Sequence, residues 1–408
     1  MNIETIRASF PILSQTVYGK PLVYLDNAAT SQRPREVMEA WNASAGQCNA
    51  NLHRAVHKLA VDATDAYEAT RDRMRAFLNA AHREEIIFTS GATQAINLVA
   101  FSFGEAFVGP GDEILVSEAE HHSNIVPWQL LCQRKQAILK VLPVRENGAL
   151  MVEDLEKRIS ERTKIVAISH ISNVLGLVNP VQEIVAVCHR RGVPVLVDGA
   201  QGIVHQRVDV QELGCDFYAF SGHNMYAASG TGVLYGKKEY LEKMPPYMGG
   251  GEMIATVRFS GTTYAPLPAK FEAGTQNINA VPTLAVAADL QEAFLGDAEV
   301  LAYQEDIKQY MLRSLAEIPG LTLYGQPGQG AEKIPLFSFT VKGAHHEDLA
   351  LLLDKMGIAT RSGQMCAEPL MDRMGVTGML RISFAPYNTM EEAEYFIKCL
   401  RKALNMLI

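Results

Sequence analysis

Between about residues 85 and 235, short apolar runs alternate with longer segments whose apolar residues recur at helical spacing. The runs "EEIIFTSG", "DEILVSEAEHH", "TKIVAISHIS", "VPVLVDGAQ" and "CDFYAFSGH" are rich in Ile, Val or Phe, and each ends in small or polar residues. A short run that is apolar throughout suits a strand covered on both faces. The pieces between, such as "ATQAINLVAFSFGEAF" and "VQEIVAVCHRRG", read as helices. This alternation predicts an α/β fold with a mostly parallel sheet and helices on both faces. Ligands of such sheets bind outside the carboxyl ends of the strands. His121, Asn173, Asp198, Gln201, Ser221 and His223 stand at those ends. Topology alone therefore directs them to one crevice.

The length of 408 residues suits two or three domains, and 48% hydrophobic with 20% charged residues suits an ordinary globular core. After about residue 285 the pattern changes. The helical "TLAVAADLQEAFLGD" precedes "IPLFSFTVKG", "IATRSGQMC" and "LRISFAPYNT", which reads as a smaller α+β unit. The expected division is a large domain over 20–285 and a small C-terminal domain over 286–408, completed by residues 1–19. In that N-terminal stretch Ile3, Ile6 and Phe10 have helical spacing, and Pro11 is expected to end the helix.

A net charge of −8 without a long basic run argues against nucleic acid or an anionic membrane as partner. The N-terminus lacks the apolar core of a signal peptide, and no apolar run approaches the ~20 residues of a membrane span. The six cysteines (48, 132, 188, 215, 366 and 399) are scattered without paired spacing. They suit free thiols in a reducing cytoplasm and offer no zinc or iron–sulfur ligand set.

Two features carry chemistry. In "FTSGATQAIN", Gly91, Ala92 and Thr93 place backbone N–H groups at a helix N-terminus, which suits a phosphate. The alternative is an ordinary cap by Ser90 or Thr93. Asp198 ends a wholly apolar strand, where a carboxylate needs a cationic or protonated partner; a structural ion pair is the alternative. Together the two point to pyridoxal 5'-phosphate, whose ring nitrogen the Asp keeps protonated so that the ring takes up electrons. His121, in "AEHHSN", is then a flat side chain able to stack on that ring.

The stretches "YLDNAATS", "NANLHRAVHKLA", "SGATQAINLVA", "EHHSNIVPWQ", "ISNVLG", "VDGAQG", "FEAGTQN" and "RSGQMCAEPLM…LRISFAPYNT" occur in order along nearly the whole chain. With them it resembles the group II cysteine desulfurases, the SufS/CsdA-like members of the class V aminotransferase family. The resemblance implies the fold type I architecture of pyridoxal-phosphate-dependent transferases. It implies that His121 stacks on the ring, Asp198 pairs with its nitrogen, Gln201 bonds its oxygen, and Asn173 lies beside cofactor or substrate. Ala92, Thr93, Ser221 and His223 hold the phosphate, and Thr275 reaches the phosphate in the other protomer of a homodimer. Arg381 binds the substrate carboxylate, with Arg361, His53 and Arg54 around the same pocket. Cys366 is the nucleophile that takes sulfur as a persulfide; Met365 stands beside it where the family commonly has His. The implied substrate is L-cysteine, with L-selenocysteine as a near neighbour. The implied partner is a sulfur acceptor of the SufE/SufU type in iron–sulfur cluster assembly. Other class V enzymes, which need no Cys366, remain an alternative.

One position departs from the pattern. The family motif Ser-Gly-His-Lys reads Ser-Gly-His-Asn here, ending in Asn224. The family's Lys forms the Schiff base with the cofactor and moves the substrate's α-proton. Asn has no amine for either task. The chain is therefore expected to be inactivated. It reads as a variant trapped by substitution, as a natural pseudoenzyme that binds sulfur-carrier partners, or as a Lys recorded as Asn.

Overall fold

The computed structural model describes residues 2–53, 56–328 and 331–408. Seven strands form the central sheet: β1 (Ile86–Thr89), β2 (Glu113–Ser117), β3 (Ile138–Leu142), β4 (Thr163–Ser169), β5 (Val195–Asp198), β6 (Phe217–Ser221) and β7 (Gly232–Gly236). Their order is β1-β7-β6-β5-β4-β2-β3. β7 runs antiparallel to both neighbours, and the remaining neighbours pair in parallel. The architecture is the α/β class read from the alternating pattern.

Both faces of this sheet are buried, which explains the continuous apolar runs. Within β4, Val166 and Ile168 enter one apolar cluster, and Ile165 and Ala167 enter another on the opposite face. Within β5, Val195 and Val197 divide from Leu196 in the same way. Each such side chain contributes about 1.5–3 kcal/mol when fully buried. The helices Ala92–Phe107 and Val181–Arg190 occupy the expected segments. β3, at the sheet edge, is buried only at Leu142 and was not visible as an apolar run.

A second, antiparallel sheet has the order Leu321–Tyr324, Leu336–Val341, Met379–Ser383, Arg361–Gly363. Phe337, Phe339, Leu380 and Ile382 pack there with Ile307, Met311 and Leu315 of the helix Ala298–Ala316 and with Phe396 and Leu400 of the helix Met390–Leu407. The helix Thr283–Leu295 instead gives Leu284, Ala287, Ala288 and Phe294 to the first cluster. Val23–Tyr24 pairs in parallel with Ile358–Ala359. At the N-terminus the helix Ile3–Ala8 stops before Pro11, which opens a 3-10 turn, and Phe10 packs against Tyr226 and Tyr387. Among the described residues, no helix is long and apolar enough to cross a membrane.

Candidate active site

The carboxyl ends of β4, β5 and β6 open into a cleft with about 210 Å³ of free space. Its walls hold His121, Asn173, Asp198, Gln201, Ser221, His223 and Asn224 from the sheet side, and Arg361, Cys366 and Arg381 from the C-terminal segment. Ala92 and Thr93 close one end. The parallel strand ends and the C-terminal antiparallel sheet together gather residues separated by nearly 300 positions.

At that end the helix Ala92–Phe107 starts from Gly91 with no side-chain cap, so neither Ser90 nor Thr93 fills that role. The Ala92 N–H donates to Ser221 Oγ at 2.8 Å, and the Thr93 and Ser123 hydroxyls lie 2.7 Å apart. The remaining N–H groups of the first turn and the helix dipole favour an anion there.

On the floor, Asp198 accepts one hydrogen bond, from Ala200 N–H at 3.0 Å. No lysine or arginine pairs with it among the described residues. Burial pushes its carboxyl up to about 6. Glu120, fully buried behind His121, is pushed up to about 7 by burial, against hydrogen bonds from Ser117 and Asn124. Burial also lowers His121, to about 4, with His122, Arg381 and Arg361 adding repulsion. Its Nδ1 accepts from Ser123 N–H at 3.1 Å, which assigns the ring proton to Nε2. His121 is thus a neutral, oriented plane at ordinary pH.

Arg381 is 3% exposed and donates to Asp26 Oδ1 at 3.1 Å and to the Asn173 carbonyl at 2.8 Å. Burial outweighs attraction for both ions of this pair: it lowers Arg381 and raises Asp26. The Arg381 Nε–H is buried with no acceptor among the described residues. A buried donor without a partner costs about 1–3 kcal/mol. Across the cleft, Cys366 is exposed, and both it and Met365 have φ of +54°. The left-handed region costs a non-glycine residue about 1–2 kcal/mol. The turn is pinned by the Asn173 side chain, which donates to the Met365 carbonyl at 2.9 Å, and by His122 N–H, which donates to the Cys366 carbonyl at 2.7 Å.

Asn224 is 6% exposed, and its amide lies 3.5 Å from the Ala28 carbonyl, at the limit of a hydrogen bond. Gln201 makes the better contact to that carbonyl, at 2.9 Å. No lysine lines the cleft among the described residues. Lys237, at the far end of β7, is held by Asp216 at 2.7 Å.

One expected residue lies elsewhere. His53 does not join Arg381. It lines a second cavity with Arg71, Glu272, Gly274 and Gln276, because the segment after residue 47 packs on the helix Lys58–Phe77. Thr275 is exposed beside that cavity, away from its own chain's cleft. Arg54 falls outside the described residues. Asp26, Glu120 and His122 were given no role from sequence, although each sits in a quoted motif. The available signals were the charge in "YLDNAATS" and the acidic residue preceding the His pair.

Residues 23–396 match the family described as aminotransferase class-V. The chain is 49% identical over 402 residues to a probable cysteine desulfurase of Halalkalibacterium halodurans, covering 98% of each. It is 46% identical over 406 residues to a cysteine desulfurase of Pectobacterium carotovorum, covering 99% of this chain and 98% of that one. Among solved structures, the cysteine desulfurase CsdA of Escherichia coli superposes with a TM-score of 0.90 at 38% identity, covering all of both chains. An apo cysteine desulfurase of Thermococcus onnurineus gives 0.93 at 35% identity, covering all of this chain and 99% of that one. Likeness of this extent, end to end in both sequence and fold, makes the chain a member of the class V aminotransferase family, in its cysteine desulfurase group.

Proposed function

We propose that this scaffold is built to convert L-cysteine to L-alanine with pyridoxal 5'-phosphate. The observation that carries the reading is Asp198, a buried carboxylate without a cation, facing the same cleft as an uncapped helix N-terminus. The pair fits the cofactor's pyridinium nitrogen and its phosphate. When bound, the cofactor supplies an electron sink for bonds broken at the substrate's Cα. Asp198 would hold the ring nitrogen's proton, and His121 would lie against the ring. Ala92, Thr93, Ser221 and His223 would hold the phosphate, and Gln201 and Asn173 would meet the ring or the substrate.

Arg381 and Arg361, which both line the cleft, take the substrate carboxylate. The thiol of Cys366 then takes the substrate sulfur. The substrate's C–S bond breaks, an S–S bond forms on Cys366, and alanine leaves with the displaced protons. The persulfide passes to an acceptor of the SufE/SufU type for iron–sulfur cluster assembly in the cytoplasm. With Asn224 in place, binding is expected without rapid turnover.

The test is Asp198→Asn, which keeps an acceptor for Ala200 N–H and removes the charge. Pyridoxal phosphate affinity is expected to fall about tenfold or more, the value of a hydrogen bond to a charged group. The cofactor-free fold should gain stability. The folded pKa of Asp198 is raised, so its ionisation penalty is absent below about pH 4, grows as pH rises toward 6, and is full above it. Removing it is worth about 3 kcal/mol at pH 8. Unchanged affinity in a titration followed by absorbance would show that another group meets the ring nitrogen.

The exposed Thr275 motivates a second expectation, that two copies associate and each lends Thr275 to the other's phosphate. Sedimentation should give a dimer, and Thr275→Ala should weaken cofactor binding. A monomer with full affinity contradicts it.

A further inference from the structure

The turn that carries Cys366 is strained, and part of what holds it comes from elsewhere in the chain. Met365 and Cys366 are both left-handed, and the helix Glu368–Met374 that follows has no side-chain cap of its own. Its first amide is met from another part of the chain: Glu368 N–H donates to His122 Nε2 at 3.0 Å. His122 N–H in turn donates to the Cys366 carbonyl at 2.7 Å. One residue therefore bonds both ends of the three-residue stretch 366–368. The neighbouring His121 faces the cleft from the same short turn.

We propose that His122 is the positioning residue for Cys366, capping the helix after it and clamping the thiol at the edge of the cleft. This deepens the reading of Cys366 as sulfur acceptor and rests on it. Neutral imidazole is the required form, since only an unprotonated Nε2 accepts an N–H. Within the turn itself, Gln364 bonds the Glu368 carboxylate at 3.1 Å and Met365 supplies no polar group, so His122 is the imidazole that ties this segment. It does so from the strand-end turn that also orients the His121 ring. Ring and nucleophile are thereby set by one element.

Two readouts test this. In the chain as it stands, His122→Ala is expected to speed hydrogen exchange at the Glu368 amide about five- to tenfold, the usual size of a lost cap. His122→Gln, which keeps an acceptor, should restore most of the protection. Amides of β5 serve as reference and should stay unchanged. In the Asn224→Lys background loaded with pyridoxal phosphate, His122→Ala should slow persulfide formation on Cys366 about tenfold, as read by mass. Release of deuterium from Cα-deuterated cysteine should change less than about twofold. Unaltered exchange at Glu368, or equal loss of deuterium release and persulfide formation, overturns the proposal. Cys366→Ala separates the two claims: undiminished desulfuration in that variant removes Cys366 itself, whereas the His122 outcomes judge only its placement.

Discussion

Replacing Asn224 with lysine is expected to raise L-cysteine desulfuration at least about a thousandfold, within the range that a positioned acid–base group contributes. The position lies just past the carboxyl end of β6, buried on the cleft wall, and its present side chain makes one long contact to Ala28. No neighbour depends strongly on that amide. A lysine there supplies the amine for covalent attachment of the cofactor and a base for the substrate's α-proton. Burial lowers an amine's pKa and leaves a larger fraction in the free-base form that both tasks need. Borohydride should fix pyridoxal phosphate to the lysine variant and leave the present chain unlabelled. A covalent adduct in the present chain, with turnover equal to the variant's, would identify a different lysine and sink the assignment.

Glu272→Ala is expected to destabilise the fold by about 3 kcal/mol, because it removes the more deeply buried of the two carboxylates that pair with Arg71 and leaves only the half-buried Glu68, at 3.0 Å. Arg71 is 1% exposed and donates to both Glu272 oxygens, at 2.7 and 2.9 Å. The same carboxylate accepts Phe88 N–H at 2.8 Å and Tyr67 O–H at 3.1 Å. Arg71 also donates to the Ile86 carbonyl at 2.7 Å and lies over the Phe88 ring. Four donors converge on one carboxyl group, so its loss strips β1 and the helix Lys58–Phe77 together. Urea denaturation reads the effect as a lower midpoint at an unchanged slope. Arg73, whose partners Asp289 and Glu292 are both exposed, supplies the contrast: Asp289→Ala should cost about 1 kcal/mol or less. Equal costs at the two sites would show that the buried network carries no special weight.

The sheet was legible because its inner strands are buried on both faces, which removes ambiguity from their sequence. β3 was not, since Lys140 breaks its apolar run at an edge where Ile138 and Val141 are exposed. Residues at strand ends were legible as a group, for topology brings them together wherever their side chains point. Asp26 and His122 were not. Their roles depend on partners more than 200 positions away, Arg381 and Glu368, and nothing local in the sequence encodes that meeting. His53 shows the limit from the other side: its motif was visible, but a motif does not say which cavity its loop packs toward.

The antiparallel strand β7 has a further consequence. Gly232, at its start, pairs with both Thr89 and Ser221, the last residues of β1 and β6. A Cβ at Gly232 would lie 2.5 Å from Gly91 Cα and 2.6 Å from the Phe220 carbonyl, so main chain meets main chain there. The anion-facing turn at Gly91 and the turn leading to position 224 are therefore joined main chain to main chain at Gly232, with the Ser221 hydroxyl bridging to Ala92 N–H beside it. Such a join is blind to the residue carried at 224. The chain can lose or regain its reactive amine there as a lamp loses or regains its bulb, with the socket left in register.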